Sequence, residues 1–114
     1  MVTIYHNPRC SKSRQTLALI EEKGVEPEVV LYLETPPSAE NLTELLKKLG
    51  ISARQLLRKG EDAYKENNLK DDSLDEAQLI EAMVKHPKLI ERPIVVKGNK
   101  AILGRPPENV LELI

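Results

Sequence analysis

The chain has 114 residues, 40% of them hydrophobic, and its single cysteine excludes an internal disulfide framework. A net charge of −1, with three Tyr and no Trp or Phe, argues against nucleic-acid binding. No stretch approaches the roughly 20 apolar residues of a membrane span, and no N-terminal run resembles a signal peptide. We therefore expect one cytoplasmic domain over residues 1–114, a monomer with neither a membrane nor a nucleic acid as partner.

The N-terminal third has the pattern of a β-α-β unit. Val2 to Tyr5 is an apolar run that ends before Asn7-Pro8, and helical periodicity extends from Ser11 to Lys23, with Gly24 closing the helix. Glu28 to Tyr32 predicts a second strand, whose continuous apolar run suits burial on both faces. Such a crossover implies a parallel pair of strands with a right-handed connection.

The middle third is a predicted helical insertion with a charged surface. Four helices are expected there, from Ser38 to Gly50, from Ser52 to Arg58, from Glu61 to Asn68, and from the acidic run Asp71–Glu76 to Lys85. Ser38 and Ser52 have the side chains that N-cap positions favour, and Gly50 suits a helix end.

In the last third the hydrophobic pattern changes from the period of helices to the two-residue period of strands. Pro93 to Lys97 and Lys100 to Leu103 predict two strands joined by a hairpin turn at Gly98-Asn99. A final helix is predicted over Pro107 to Leu113, with proline near its first position. A β-α-β half, a helical insertion and a β-β-α half together have the order of an α/β, thioredoxin-like fold.

Cys10 lies at the predicted start of the first helix, where backbone N–H groups lack intrahelical partners and the helix dipole is positive. A thiolate is favoured at such a position, and Arg9, Lys12 and Arg14 supply nearby cations. The same N–H groups can bind a tetrahedral oxyanion. The alternative is a cysteine that serves only as a small buried hydrophobic residue.

The residues around Cys10 exclude several kinds of cysteine site. Ser13 stands where a dithiol redox motif has its second cysteine, and Thr16 stands where a cysteine phosphatase loop usually has arginine. One cysteine and two distant histidines lack the spacing of a thiolate metal site, so no metal is expected. A C-x-x-S thiol remains, and any redox cycle requires a second thiol from another molecule.

Three arginines flank predicted elements further along the chain: Arg58 at a helix end, Arg92 before a strand and Arg105 after one. Loops at those ends can converge on the Cys10 loop in the predicted fold. Guanidinium groups bind oxyanions in a bidentate manner and stay charged at any working pH. Taken singly, each arginine is otherwise an ordinary surface cation.

His6 and the serines after Cys10 have two interpretations each. His6 either acts on the thiol as a charged neighbour or fixes the loop by hydrogen bonding. Ser11 and Ser13 either donate hydrogen bonds to the thiolate or cap the helix. With Arg14, His6 and Ser13 make up the predicted thiol-activating anion loop.

Five motifs keep a common order and spacing from Thr3 to the C-terminus: Tyr5-His6-Asn7-Pro8-x-Cys10, Tyr32-Leu33-Glu34-Thr35-Pro36-Pro37, Leu56-Leu57-Arg58-Lys59, Arg92-Pro93-Ile94-Val95-Val96 and Arg105-Pro106. Together they resemble the glutaredoxin-coupled arsenate reductases, the ArsC family, and most of all its YfgD-like branch. The resemblance implies a thioredoxin-like fold and a cis peptide bond before Pro93.

The resemblance also implies a reaction, the reduction of arsenate to arsenite through nucleophilic Cys10. Arg58, Arg92 and Arg105 match the arginines that hold arsenate and its thiol adducts in that family. Glutathione would be the co-substrate and glutaredoxin the protein partner, with no bound cofactor.

Two other functions remain open. Typical reductases of the family follow the cysteine with Gly-Thr-Ser-Arg, whereas this chain has Ser11-Lys12-Ser13-Arg14. The difference favours, as an alternative, a glutathione-linked monothiol oxidoreductase with another substrate. A second alternative is an Spx-like module that binds RNA polymerase, although such regulators usually carry a C-x-x-C switch that Ser13 removes.

Overall fold

The computed structural model describes residues 1–114, which form two compact units. The first unit comprises residues 1–35 and 92–114, and the second comprises residues 36–91. The second unit is thus inserted in the chain between the halves of the first. The single domain expected over residues 1–114 stays a prediction.

A four-stranded sheet forms the centre of the first unit, with the strand order β2-β1-β3-β4. The strands are β1 (Val2–Tyr5), β2 (Glu28–Val30), β3 (Ile94–Lys97) and β4 (Lys100–Leu103). β1 and β2 are parallel, and the β1–β3 and β3–β4 pairs are antiparallel. Gly98 has φ of 62°, a left-handed conformation that suits the predicted hairpin turn.

The strand register brings three loops to one end of the sheet. Tyr5, the last residue of β1, pairs with Ile94, the first residue of β3, and Ile94 also pairs with Leu103 at the end of β4. The residues just after β1, just before β3 and just after β4 therefore lie side by side. Those segments contain the thiol loop (residues 6–10), the Arg92-Pro93 pair and Arg105.

The hydrophobic core of the first unit joins the sheet to α1 (Ser11–Glu22) and to a C-terminal 3₁₀ helix (Pro107–Glu112). Its buried members are Val2, Ile4, Ile20, Val95 and Val110. Partly buried side chains, including Leu17 and Leu113, pack against them. Burial of such apolar surface, at about 25 cal/mol per Å², fixes α1 and hence its N-terminus relative to the strands.

The second unit is helical, with α2 (Ala39–Leu49), α3 (Ala53–Leu56), α4 (Asp62–Glu66), α5 (Glu76–Lys85) and a 3₁₀ helix (Pro87–Leu89). Ser38 caps α2 as predicted by accepting from the Asn41 N–H, and Gly50 ends α2 in the left-handed conformation. Buried side chains from several of these elements, such as Leu42, Leu56 and Met83, supply its core. No helix in the chain combines the length and apolar character that a membrane span requires.

β2 differs from its prediction in length and in environment. It ends at Val30 rather than Tyr32, and it pairs only with β1, so it is an edge strand. Val29 and Leu31 are 43% and 36% exposed. The expectation of burial on both faces was wrong, because an apolar run does not by itself distinguish a central strand from an edge strand.

Three other elements also differ from their predicted boundaries or type. α5 begins at Glu76 because Asp75 is its N-cap, in a reciprocal capping box with Gln78, so the preceding acidic run is not helical. α3 stops at Leu56 because Leu57 forms a β-bridge with Ile90 instead. The last element is a 3₁₀ helix rather than an α-helix.

Candidate active site

Cys10 is the N-cap residue of α1, with φ of −92° and ψ of 122°. No side chain caps this helix, and its first turn contains no acidic residue. The thiol is partly exposed. The first-turn N–H groups and the positive end of the helix dipole therefore lie beside an accessible sulfur, as the sequence predicts.

Hydrogen bonds hold the turn that leads into Cys10. The Asn7 side-chain oxygen accepts from the Arg9 N–H at 3.0 Å, and the Asn7 carbonyl accepts from the Cys10 N–H at 3.0 Å. The Arg14 guanidinium donates to the Pro8 carbonyl at 2.8 Å. These bonds hold the residues before Cys10 in a defined turn and attach that turn to Arg14 of α1.

His6 and Ser13 form a buried hydrogen-bonded pair behind this loop. His6 Nδ1 lies 2.6 Å from Ser13 Oγ, which also accepts from the Asn7 N–H at 3.1 Å. Burial, with a further contribution from the Arg14 guanidinium, lowers the pKa of His6 below its ordinary value of 6.5. Of the two interpretations of His6, the geometry therefore supports a neutral residue that fixes the loop. Ser13 bonds to the loop rather than capping the helix.

Of the three distant arginines, Arg105 has a side chain that reaches the thiol. Its Nη1 lies 4.0 Å from Cys10 Sγ and donates to the Arg92 carbonyl at 3.1 Å. The Arg92–Pro93 peptide bond is cis, and so is Arg105–Pro106. The structure thus brings Cys10, Arg92 and Arg105 together at one end of the sheet.

Arg58 belongs to the second unit. Its Nη1 lies 3.1 Å from Glu61 Oε2 and its Nε lies 3.5 Å from Glu91 Oε1. Its backbone N–H donates to the Leu89 carbonyl at 2.8 Å. These contacts fix Arg58 within the helical unit, and its predicted convergence on Cys10 stays a prediction.

A cavity of about 350 Å³ opens on the β2 side of the thiol loop. Its lining combines residues 6–9 of the loop with three residues that follow β2, namely Leu31, Leu33 and Glu34. Arg9 and Glu34 bring opposite charges to it, and neither side chain forms an ion pair within the protein. The cavity therefore offers an apolar wall with a cation and an anion to a ligand. No group of His, Cys, Asp and Glu side chains in the structure could hold a metal ion.

Asn7 and Thr16 also shape the site, although neither was among the candidate residues. Asn7 precedes proline in a turn, and the Asn-Pro pair is itself a signal that an Asn side chain will bond to the backbone two residues on. Thr16 is fully buried, and its hydroxyl donates to the Lys12 carbonyl at 2.8 Å. In the sequence, the one signal for that bond is the position of Thr16 four residues after Lys12 in the same helix.

The sheet, the helix that follows its first strand and the lone thiol at that helix start define a thioredoxin-like protein with a monothiol site. The solved structure of the arsenate reductase from Vibrio cholerae has the same fold, with a TM-score of 0.97 and 55% identity over 99% of this chain and 97% of that one. The model of the ArsC family matches residues 5–113. The chain belongs to the ArsC family.

Two further relatives cover almost the whole chain. The protein YfgD of Escherichia coli strain K12 is 67% identical over 114 residues, which are 99% of this chain and 96% of YfgD. The arsenate reductase of Haemophilus influenzae strain KW20 is 52% identical over 99% of this chain and 98% of its own length. The resemblance to the ArsC family and to YfgD is confirmed.

Proposed function

We propose that the protein is an arsenate reductase in which Cys10 is the nucleophile, glutathione the reductant and glutaredoxin the partner that regenerates the thiol. The observation that carries the proposal is the Arg105 guanidinium, 4.0 Å from Cys10 Sγ at a helix start that no side chain caps. The relatives from Haemophilus influenzae and Vibrio cholerae, both named arsenate reductase, support arsenate as the oxyanion.

Anion binding is the first step. A tetrahedral oxyanion can accept hydrogen bonds from the first-turn N–H groups of α1 while the Arg105 guanidinium offsets its charge. Arg92, whose carbonyl holds Arg105 Nη1, is the second guanidinium of this site. The Arg105 guanidinium also lies beside the Cys10 sulfur, so the nucleophile and its target are brought to one place.

Covalent reduction then requires two thiols. Cys10 attacks As(V) and displaces water, giving a thiol–arsenate adduct. A glutathione thiolate supplies the second sulfur, and the two thiol sulfurs give up one electron each as they join in a Cys10–glutathione disulfide while arsenic leaves as As(III). Glutaredoxin takes the glutathione from Cys10 by thiol–disulfide exchange, which this chain cannot do internally because it has one cysteine. This requirement for glutathione favours a cytoplasmic location.

The cavity beside Arg9 is the proposed place for glutathione. Glutathione is a small peptide with one ammonium and two carboxylates, and the lining provides the carboxylate of Glu34 and the guanidinium of Arg9. Leu31 and Leu33 supply an apolar wall on the same side. Residues 6–9 of the cavity lining directly precede Cys10, so a peptide bound there would lie close to the thiol that it must reach.

A second candidate is a glutathione-linked monothiol oxidoreductase with a different substrate. The Cys10 site and the cavity serve that function equally well, and the 67% identical YfgD carries no arsenate assignment in its name. The two candidates differ only in the group that Cys10 attacks.

The deciding experiment is arsenate-dependent NADPH oxidation in the presence of glutathione, glutaredoxin and glutathione reductase. We expect a rate that saturates with arsenate and is lost in Cys10→Ser. A folded protein with a normally reactive thiol but no rate above the Cys10→Ser control would discard arsenate. In that case the same coupled assay with glutathione mixed disulfides as substrate tests the second candidate.

A further inference from the structure

We propose that Gly104 and Asn109 are positioning residues that hold the Arg105 guanidinium beside Cys10. The proposal rests on the role of Arg105 in the proposed function, and it assigns to two uncharged residues the task of keeping that cation in place. Neither residue contacts the thiol, and both act through the backbone on which Arg105 is carried.

Gly104 allows the Arg105 segment to lie directly against α1. A Cβ placed at position 104 would be 2.5 Å from Thr16 Oγ1 and 2.8 Å from Pro93 Cγ, well inside the contact distance of about 3.5–4 Å between carbon atoms. Thr16 is fully buried, so its side chain has no open space into which to move. Any residue larger than glycine must push the backbone next to Arg105 away from the helix that carries Cys10.

The backbone at Gly104 is also fixed by hydrogen bonds on both sides. Its N–H donates to the Pro93 carbonyl at 2.9 Å, and its carbonyl oxygen lies 3.4 Å from the Thr16 hydroxyl. The same hydroxyl donates to the Lys12 carbonyl in the first turn of α1. One glycine therefore links the start of β3, the end of β4 and the helix whose N-terminus holds the thiol.

Asn109 braces the same segment from the C-terminal 3₁₀ helix. Its Nδ2 donates to the Leu103 carbonyl at 3.3 Å and to the Arg105 carbonyl at 3.1 Å. These two carbonyls flank Gly104, so a single side-chain amide spans the three residues. Such a brace opposes the local displacement that would carry Arg105 away from the sulfur.

Arg105 is sensitive to such a displacement because its contact with the sulfur is long. Nη1 lies 3.1 Å from the Arg92 carbonyl oxygen and 4.0 Å from Cys10 Sγ. A shift of the backbone by a few tenths of an ångström or more lengthens the second contact beyond hydrogen-bond range. The attraction of the guanidinium for an anion at the sulfur falls with it.

The test compares Gly104→Ala with Gly60→Ala, a control position where an added Cβ has nothing within 4 Å and φ is not left-handed. The readout is the ratio of the alkylation rates of Cys10 with iodoacetate, an anion, and with iodoacetamide, its neutral analogue, at one pH. A guanidinium beside the sulfur favours the anionic reagent, so for an exposed contact such as this we expect Gly104→Ala to lower the ratio about twofold to fivefold. Gly60→Ala leaves the ratio unchanged.

A double-mutant comparison separates positioning from simple loss of structure. In an Arg105→Gln background the cation is already gone, so Gly104→Ala should produce no further fall in the iodoacetate-to-iodoacetamide ratio. An equal fall in both backgrounds would mean that Gly104 acts on the thiol loop directly, and it would overturn the proposal.

Asn109→Ala provides a second variant that keeps the space around Gly104, in case Gly104→Ala fails to fold. It should lower the iodoacetate-to-iodoacetamide ratio as well, and again only when Arg105 is present. An unchanged ratio in folded Asn109→Ala would also contradict the proposal. Alkylation involves no arsenate, so the positioning roles are tested even if the coupled assay discards arsenate as the substrate.

Discussion

His6 shows how a titratable side chain can serve a thiol site without carrying charge. It is buried, it is held by Ser13, and both its burial and the Arg14 guanidinium lower its pKa. A charged imidazole would face a cation and lose solvation in this place. The neutral ring therefore belongs to the folded structure of the loop, and protonation should oppose folding.

The first prediction concerns stability against pH. Because the pKa of His6 is lower in the folded protein than its ordinary 6.5, the unfolded chain binds the proton more tightly. The stability from His6 is complete above about pH 6.5 and is lost as the pH falls through the lowered pKa. Urea unfolding between about pH 7.5 and pH 5 should show this loss in the wild type, and His6→Asn, which keeps a polar atom near Nδ1 but does not titrate, should lack it. Parallel pH profiles for the two proteins would contradict a role for His6 protonation.

The second prediction concerns the cause of that shift. Arg14→Gln removes the guanidinium charge that disfavours the imidazolium, so the pKa of His6 should rise toward its ordinary value while burial still keeps it low. NMR titration of the His6 ring protons measures the change. Arg9→Gln is the matched control, since it removes the same charge from an exposed neighbour that does not contribute to the shift. A rise of equal size in both variants would show that net charge, not Arg14, sets the pKa of His6.

At the scale of elements, the sequence predicted the order of the strands and of all the helices except the short 3₁₀ helix Pro87–Leu89, because each of the others has its own local signal. Period-2 and helical patterns mark the elements, and caps such as Ser38 and Gly50 mark their ends. β2 was misjudged because its exposure depends on which strand lies beside it, and strand order is a property of the whole sheet. The pairing of Arg105 with Cys10 is likewise set by register between β1, β3 and β4 rather than by any local pattern.

Gly104 illustrates a second limit of the sequence. A glycine beside Arg105-Pro106 has no signature that separates it from any loop glycine, since its φ is not left-handed. Its importance lies in the close approach of Thr16, which is 88 residues away in the chain. Cys10, Arg92 and Arg105 can be singled out in the sequence by their sulfur or charge, whereas the uncharged Gly104 and Asn109 cannot.

The third prediction belongs to the edge strand β2 and the cavity beside it. If glutathione binds there, Arg9→Gln and Glu34→Gln should each raise the KM for glutathione, by about twofold to fivefold for exposed charge pairs, with the KM for arsenate unchanged. Glu26→Gln, an exposed carboxylate outside the cavity lining, is the control. Calorimetric titration with S-methylglutathione measures the same binding without turnover, in Cys10→Ser alone and in Cys10→Ser combined with each of the three Gln substitutions. If Arg9→Gln and Glu34→Gln bind as tightly as Cys10→Ser alone, the cavity is excluded as the glutathione site.

At the scale of the whole molecule, the candidate residues are divided between the two units. Cys10, Arg92 and Arg105 belong to the unit that contains the sheet, and Arg58 belongs to the inserted helical unit, where Glu61 and Glu91 pair with it. That Arg58 also serves the oxyanion, as the family resemblance implies, stays a prediction.

The fourth prediction tests the contribution of Arg58 to arsenate turnover with Arg58→Lys. A lysine keeps the charge but cannot reproduce a bidentate guanidinium contact, so kcat/KM for arsenate should fall about tenfold, in line with the loss of one charge-assisted hydrogen bond. Lys59→Arg, at the exposed neighbouring position, should change nothing. Partly exposed ion pairs contribute only about 0–1 kcal/mol, so the melting temperature of Arg58→Lys should stay close to that of the wild type. An unchanged kcat/KM would confine Arg58 to its ion pairs with Glu61 and Glu91. The anion would then be left to the two arginines of the first unit and the helix start at Cys10.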